Sequence, residues 1–78
     1  MRQTILKEIA KATSIEFKDI QEEDTFDVYG IDSLDFANLV IDFEAKYNIT
    51  FTEDEIDKMR FYRIGQLVDF LEKKIKND

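Results

Sequence analysis

The chain contains neither histidine nor cysteine, so any chemistry must come from carboxylates, hydroxyls and amines. That inventory removes zinc sites built on imidazole or thiolate, Ser-His-Asp triads and Cys-His dyads. The expectation is therefore a protein that is not an enzyme. The chemistry-bearing types that do crowd together fall in one stretch, Tyr29-Gly30-Ile31-Asp32-Ser33-Leu34-Asp35. Gly30 supplies the backbone freedom of a turn. Asp32 is placed to be the N-cap of a following helix, accepting hydrogen bonds from its first free amides. Asp35 falls in the first turn, where a carboxylate complements the positive end of the helix dipole. Ser33 is left at the helix entrance with its hydroxyl free to face solvent. The same residues would also make an ordinary, well-formed helix start, so a functional serine needs support from what surrounds it.

The elements that position this junction are helical. Apolar residues recur with helical period in three segments. These are Ile5, Leu6, Ile9, Ala10 and Thr13, then Phe36, Leu39, Val40, Phe43 and Tyr47, then Ile64, Leu67, Val68, Leu71 and Ile75. A short helix is predicted at about 53–59, because Thr52-Glu53-Asp54-Glu55 is a capping box in which Thr52 and Glu55 each satisfy the other's amide. Ile49-Thr50-Phe51 is locally extended, but no strand alternation lasts. The predicted fold is all-α: a four-helix bundle with three longer helices, one short third helix and a long loop between helices 1 and 2. One domain covers 1–78, with 76–78 expected as a frayed tail. The loop runs for roughly twenty residues, Ser14 to Asp32, which is long for a compact domain. Its Ile15, Phe17, Ile20, Phe26 and Val28 are expected to fold it over the bundle. At 78 residues, with no disulfide, the core must be well packed, since small domains bury only ~60% of their unfolded surface.

If Phe36, Leu39, Val40 and Phe43 face the core, Leu34, Ala37 and Ile41 share another face at i, i+3, i+7. That apolar strip lies beside Ser33 and is flanked by Asp35, Asp42 and Glu44. An idle surface seldom carries such a strip. It reads as a docking strip, or else as a second buried face of a small bundle. Net charge is −7, and residues 16–60 hold fourteen acidic side chains against four basic ones. This acidity is either a solvated helix surface or a docking face for basic partners. It argues against nucleic acid, whose phosphates require Lys and Arg. No apolar run approaches the ~20 residues of a membrane span. Met1-Arg2-Gln3-Thr4 lacks the design of a signal peptide, so a cytoplasmic protein is expected. The Asp-rich stretch Asp24 to Asp35 lacks EF-hand ligand spacing, and no metal site is expected.

Phe26-Asp27-Val28-Tyr29-Gly30-Ile31-Asp32-Ser33-Leu34 has the form F-x-x-x-G-x-D-S-L, which resembles the attachment-site signature of acyl carrier proteins. The resemblance extends over nearly the whole chain. Leu39-Val40 through Glu44 and Tyr47 is similar to the family's second helix, Lys58-Met59 to the end of its short third, and Ile64-Gly65-Gln66-Leu67-Val68-Asp69-Phe70-Leu71 to its fourth. The D-S-L triplet alone is weak; in this segment order, on an acidic chain of this size, it is specific. The resemblance implies that Ser33, with Asp32 and Leu34 completing the motif, receives a 4′-phosphopantetheine arm from coenzyme A. A separate phosphopantetheinyl transferase, using Mg²⁺, would make the phosphodiester. The arm's thiol then carries acyl groups as thioesters. Asp32 and Asp35 would help hold the transferase and its metal. Basic patches on acyl-loading and acyl-processing enzymes would dock on Asp35, Asn38, Asp42, Glu44, Glu53 and Asp54, with Leu34, Ala37, Ile41 and Met59 contributing at the same surface. A monomer is expected.

Some residues depart from the family pattern. Asn38 stands where fatty-acid carriers usually have Glu, and Ala45 and Lys46 dilute the acidity of helix 2 further. Phe36 is large where many relatives are small and polar. Arg60-Phe61-Tyr62-Arg63 is bulkier and longer than the usual link before helix 4, and basic. These departures bear on the partner set and point to a specialised carrier beside the housekeeping fatty-acid role. Two rivals remain at this level: an aminoacyl or peptidyl carrier with the same arm, and a helical protein-interaction domain without a prosthetic group.

Overall fold

A computed structural model describes residues 1–77 of the chain, with side-chain surroundings for residues 1–76. Helix α1 spans Arg2–Thr13, α2 Ser33–Tyr47, α3 Glu53–Met59 and α4 Ile64–Asn77. Two 3-10 turns, Phe17–Asp19 and Phe26–Tyr29, sit in the long α1–α2 connection. Among the described residues there is no strand, only an isolated bridge between Thr25 and Arg63. The all-α bundle, with its short third helix and long first loop, is the observed architecture. Helix α4 continues through Asn77, into the segment expected as a tail, and Asp78 lies outside the described residues.

The helix ends follow from local chemistry. Ser14 and Asn48 close α1 and α2 in left-handed conformation (φ 59° and 54°). The following amides then reach back five residues, Ile15 to Ala10 at 3.0 Å and Ile49 to Glu44 at 3.2 Å, which satisfies carbonyls the helices would otherwise leave bare. In front of α3 the capping box is complete: the Thr52 N–H donates to Glu55 Oε1 at 2.9 Å and the Glu55 N–H to Thr52 Oγ1 at 3.1 Å. The core draws Ile5 and Ile9 from α1, Phe36, Leu39, Val40 and Phe43 from α2, Met59 from α3, and Ile64, Leu67, Val68 and Leu71 from α4. The stripes predicted for the three long helices are thus the buried faces, with Tyr47 and Ile75 at their margins.

The long loop is tied down by one aromatic ring and a few backbone bonds. Phe26 is 2% exposed and meets Phe36 edge-on, with centroids 5.3 Å apart. Ile20, Tyr29 and Ile31 of the loop pack against the same core. The Tyr29 hydroxyl accepts from the Gln21 N–H (2.8 Å) and donates to Asp24 (2.9 Å), closing the loop on itself. The first amides of α4 use loop carbonyls as caps, Ile64 to Asp24 at 2.8 Å and Gly65 to Glu22 at 2.9 Å. Gly65 permits that approach, since a Cβ there would lie 3.3 Å from the Glu22 carbonyl oxygen. Arg2 pairs with Glu22, Asp69 and Glu72, linking α1, loop and α4. Two expectations for the loop need correction. Phe17 and Val28 are 42% and 62% exposed: the first 3-10 turn buries none of its residues, and the second turns Phe26 inward and leaves Val28 outside.

Glu55 joins α3 to α4, since Lys74 Nζ donates to its two carboxylate oxygens at 3.0 and 3.1 Å while lying 5.0 Å from the Phe51 ring centroid. The Thr52 amide first, and Lys74 second, hold the Glu55 carboxyl below its ordinary value of 4.5. A depressed folded-state value stabilises the fold above 4.5, and the contribution is lost as pH falls through that lower value. Glu55→Gln keeps the capping-box acceptor and removes the charge. At neutral pH the variant should lose about 1 kcal/mol or less in urea titrations. The difference from wild type should vanish well below pH 4.5, where Glu55 is itself neutral. A gap independent of pH would show that the ion pair contributes nothing.

Candidate functional site at the entrance to α2

The turn into α2 is built from three local constraints. Gly30 adopts φ 75°, a left-handed conformation that side chains with a Cβ resist, and its N–H donates to the Asp27 carbonyl at 3.0 Å. The Ile31 N–H returns to the Phe26 carbonyl at 3.3 Å, so the turn is anchored to the buried ring. Asp32 is the N-cap, its Oδ1 accepting from the Asp35 N–H at 2.9 Å and its carbonyl from the Phe36 N–H at 3.0 Å.

Ser33 follows as the first residue of the fifteen-residue helix. It is exposed, and no hydrogen bond engages its hydroxyl among the described residues. The side chain that could have satisfied the helix end is Asp32, and it already does so. The serine oxygen is left for something outside the chain.

Beside Ser33 opens a cleft of about 550 Å³. Phe26, Ile31, Phe36 and Phe61 provide its apolar lining, and Arg60 its cation. Asp27, held by the Thr25 hydroxyl, lies on the same cleft. The participation of Arg60 and Phe61 was not legible locally. Their bulk was visible in the sequence as a departure before α4, but nothing in it placed them next to Ser33.

The sequence-predicted docking residues fall into three groups. Leu34 (69% exposed) and Ile41 (59% exposed) present the apolar strip, with Ala37 half-buried between them. Asp35, Asn38, Asp42, Glu53 and Asp54 are exposed. Glu44 is half-buried and turned inward, accepting the Phe51 N–H at 2.9 Å, so it braces the α2–α3 link. Met59 must be corrected outright: it is 0% exposed, a core residue closing α3 over the bundle, and offers no surface to a partner. A helix of seven residues is too short for its period to assign faces.

An exposed hydroxyl at a helix N-terminus suits esterification by a phosphate, because the free amides and the dipole there favour negative charge. The chain holds no imidazole that could take the serine proton. Among the described residues no cluster of carboxylates could hold a metal ion. The geometry fits a covalent arm: an accessible oxygen, an anion-tolerant helix end and an adjoining cleft.

Sequence comparison agrees with that geometry. Residues 3–71 match the family described as "Phosphopantetheine attachment site", and the chain belongs to it. The prosthetic group of that family is 4′-phosphopantetheine. The chain is similar to acyl carrier proteins of Thermotoga maritima (33% identity, 70% of this chain, 65% of that one) and Porphyromonas gingivalis (28%, 81% and 80%). A third, from Amoebophilus asiaticus, is 37% identical over 59% of this chain and 55% of that one. The matched segment thus covers somewhat less than two thirds of the length of the Thermotoga and Amoebophilus proteins.

The cap can be separated from the charge of Asp32. Asp32→Ala should cost about 1 kcal/mol in chemical denaturation. Asp32→Asn, an equally good cap, should cost little. Equal loss in both variants would mean that the carboxylate charge, not the hydrogen bond to the Asp35 amide, holds the helix start.

Proposed function

We propose that Ser33 Oγ is the attachment atom of the arm and that the chain carries acyl groups for fatty-acid or related acyl and polyketide synthesis. The observation that carries this reading is the exposed, unengaged Ser33 hydroxyl at the capped entrance of α2, within the D-S-L motif. Attachment replaces the serine O–H bond by an O–P bond. The pyrophosphate bond of coenzyme A breaks, the adenosine bisphosphate leaves, and the serine proton passes to the visiting transferase or to solvent. When bound, the group supplies a thiol on a flexible tether that holds acyl cargo as a thioester. The chain's own residues present, orient and dock; Ser33 supplies the oxygen that joins phosphorus without being activated from within, and the protein is a carrier rather than an enzyme.

Docking rests on the surface beside the serine. Leu34 and Ile41 offer apolar contact, with exposed Asp35 and Asp42 on the same helix and exposed Glu53 and Asp54 in the first turn of α3 adding negative charge. A carrier must meet a transferase, a loading enzyme and processing enzymes in turn. Steering by charge raises encounter rates without deepening affinity, which suits such brief visits. Buried Met59 anchors α3 in the core, and inward-turned Glu44 holds the α2–α3 link through the Phe51 amide. Acyl cargo is favoured over aminoacyl cargo by the Asp before the serine and by the net charge of −7.

Intact mass after incubation with coenzyme A and a broad-specificity phosphopantetheinyl transferase tests the attachment. Wild type should gain one arm and Ser33→Ala none, with unchanged thermal stability. A gain in the variant, or none in wild type, contradicts the assignment. Asp35→Lys and Asp42→Lys should each slow the transfer by roughly tenfold at low ionic strength, and less as salt screens the encounter. A rate insensitive to both substitutions removes the steering role.

A further inference from the structure

The cleft beside Ser33 is furnished for more than access. Its apolar lining comes from three different segments: Phe26 in the second 3-10 turn, Phe36 in α2 and Phe61 in the α3–α4 link. Phe61 is 75% exposed, an unusual placement for a phenyl ring unless something covers it. The carboxylates on the cleft, Asp27 and Asp32, are both hydrogen-bonded, to Thr25 and to the Asp35 amide. Arg60 is the cation on the lining. Among the described residues no carboxylate lies within ion-pair distance of it. Its guanidinium instead sits 5.2 Å from the Phe61 ring centroid, so cation and ring form one unit at the cleft's rim.

From this arrangement we infer that the cleft is a resting site for the arm itself, with Arg60 pairing with the phosphodiester and Phe61 covering the apolar carbons that follow it. The inference rests on attachment at Ser33. A phosphodiester placed on Ser33 brings a negative charge onto a cleft that already holds Asp27 and Asp32. Arg60 offsets that repulsion, and guanidinium geometry matches phosphate oxygens with paired hydrogen bonds. Past the phosphate, one methylene leads to a quaternary carbon bearing two methyl groups. These can cover the Phe61 ring and the inner apolar lining, removing apolar surface from water. Tethering makes weak contacts sufficient, because a group attached at the cleft has an effective concentration on the order of millimolar. The site would hold the arm until a partner draws it out.

The test uses wild-type, Arg60→Gln and Phe61→Ala proteins, each converted to the arm-bearing form and verified by intact mass. Both substituted side chains are exposed, so the fold should survive. In wild type, conversion should shift amide resonances of Thr25, Ile31, Arg60 and Phe61. Nuclear Overhauser contacts should appear between the arm's methyl protons and the Phe61 ring. Arg60→Gln should lose those contacts and the shifts at Thr25 and Phe61, and Arg60→Lys should restore part of them. Phe61→Ala should lose the shift at Thr25 while still gaining the arm. If wild type gains the arm but its shifts stay within residues 31–35, or if Arg60→Gln behaves as wild type, the resting site is overturned and attachment stands. If wild type gains no arm at Ser33, both readings fall together.

Discussion

The burial of one ring, Phe26, sets the geometry on which the site depends. The connection before α2 is long, and its free ends would otherwise leave the helix entrance wandering. By seating Phe26 edge-on against Phe36, the chain fixes the second 3-10 turn on the same helix that the loop is about to start. Gly30 then reverses direction in a left-handed conformation, and Asp32 seals the first amides. Ser33 is left with its hydroxyl unengaged because Asp32 already serves as the cap of the helix.

The surface around that serine divides its labour. Outward-facing Leu34 and Ile41 sit among carboxylates that have no internal work. The residues that might be mistaken for the same face have structural duties: Glu44 holds the α2–α3 link through the Phe51 amide, and Met59 fills the core. Position of the short α3 therefore comes from inward contacts, including Glu55 with Lys74, while the other two acids of its first turn, Glu53 and Asp54, are exposed. The same economy appears on the cleft, where Arg60 is stacked on a ring and has no carboxylate partner among the described residues.

Much of this was legible in the sequence, for physical reasons that differ by element. The three long helices announce themselves because each spans several turns of uninterrupted period. The Thr52–Glu55 box and the Asp32 cap are local and need no tertiary information, and the free Ser33 follows from them. Phe17 and Val28 defeated the reading because a 3-10 turn is too short to reveal which apolar residues face in. Met59 did so for the same reason in a two-turn helix. The neighbourhood of Arg60, Phe61 and Ser33 is purely tertiary, made by the packing of the α3–α4 link against the first loop, and no local pattern encodes it.

The central claim is that one oxygen, Ser33 Oγ, bears the arm. A phosphorus–proton correlation spectrum of the arm-bearing protein reads that bond directly. The expected result is a through-bond cross-peak from the phosphodiester phosphorus to the β-protons of Ser33. A cross-peak to Ser14, the other serine of the chain, or to a threonine would contradict the account.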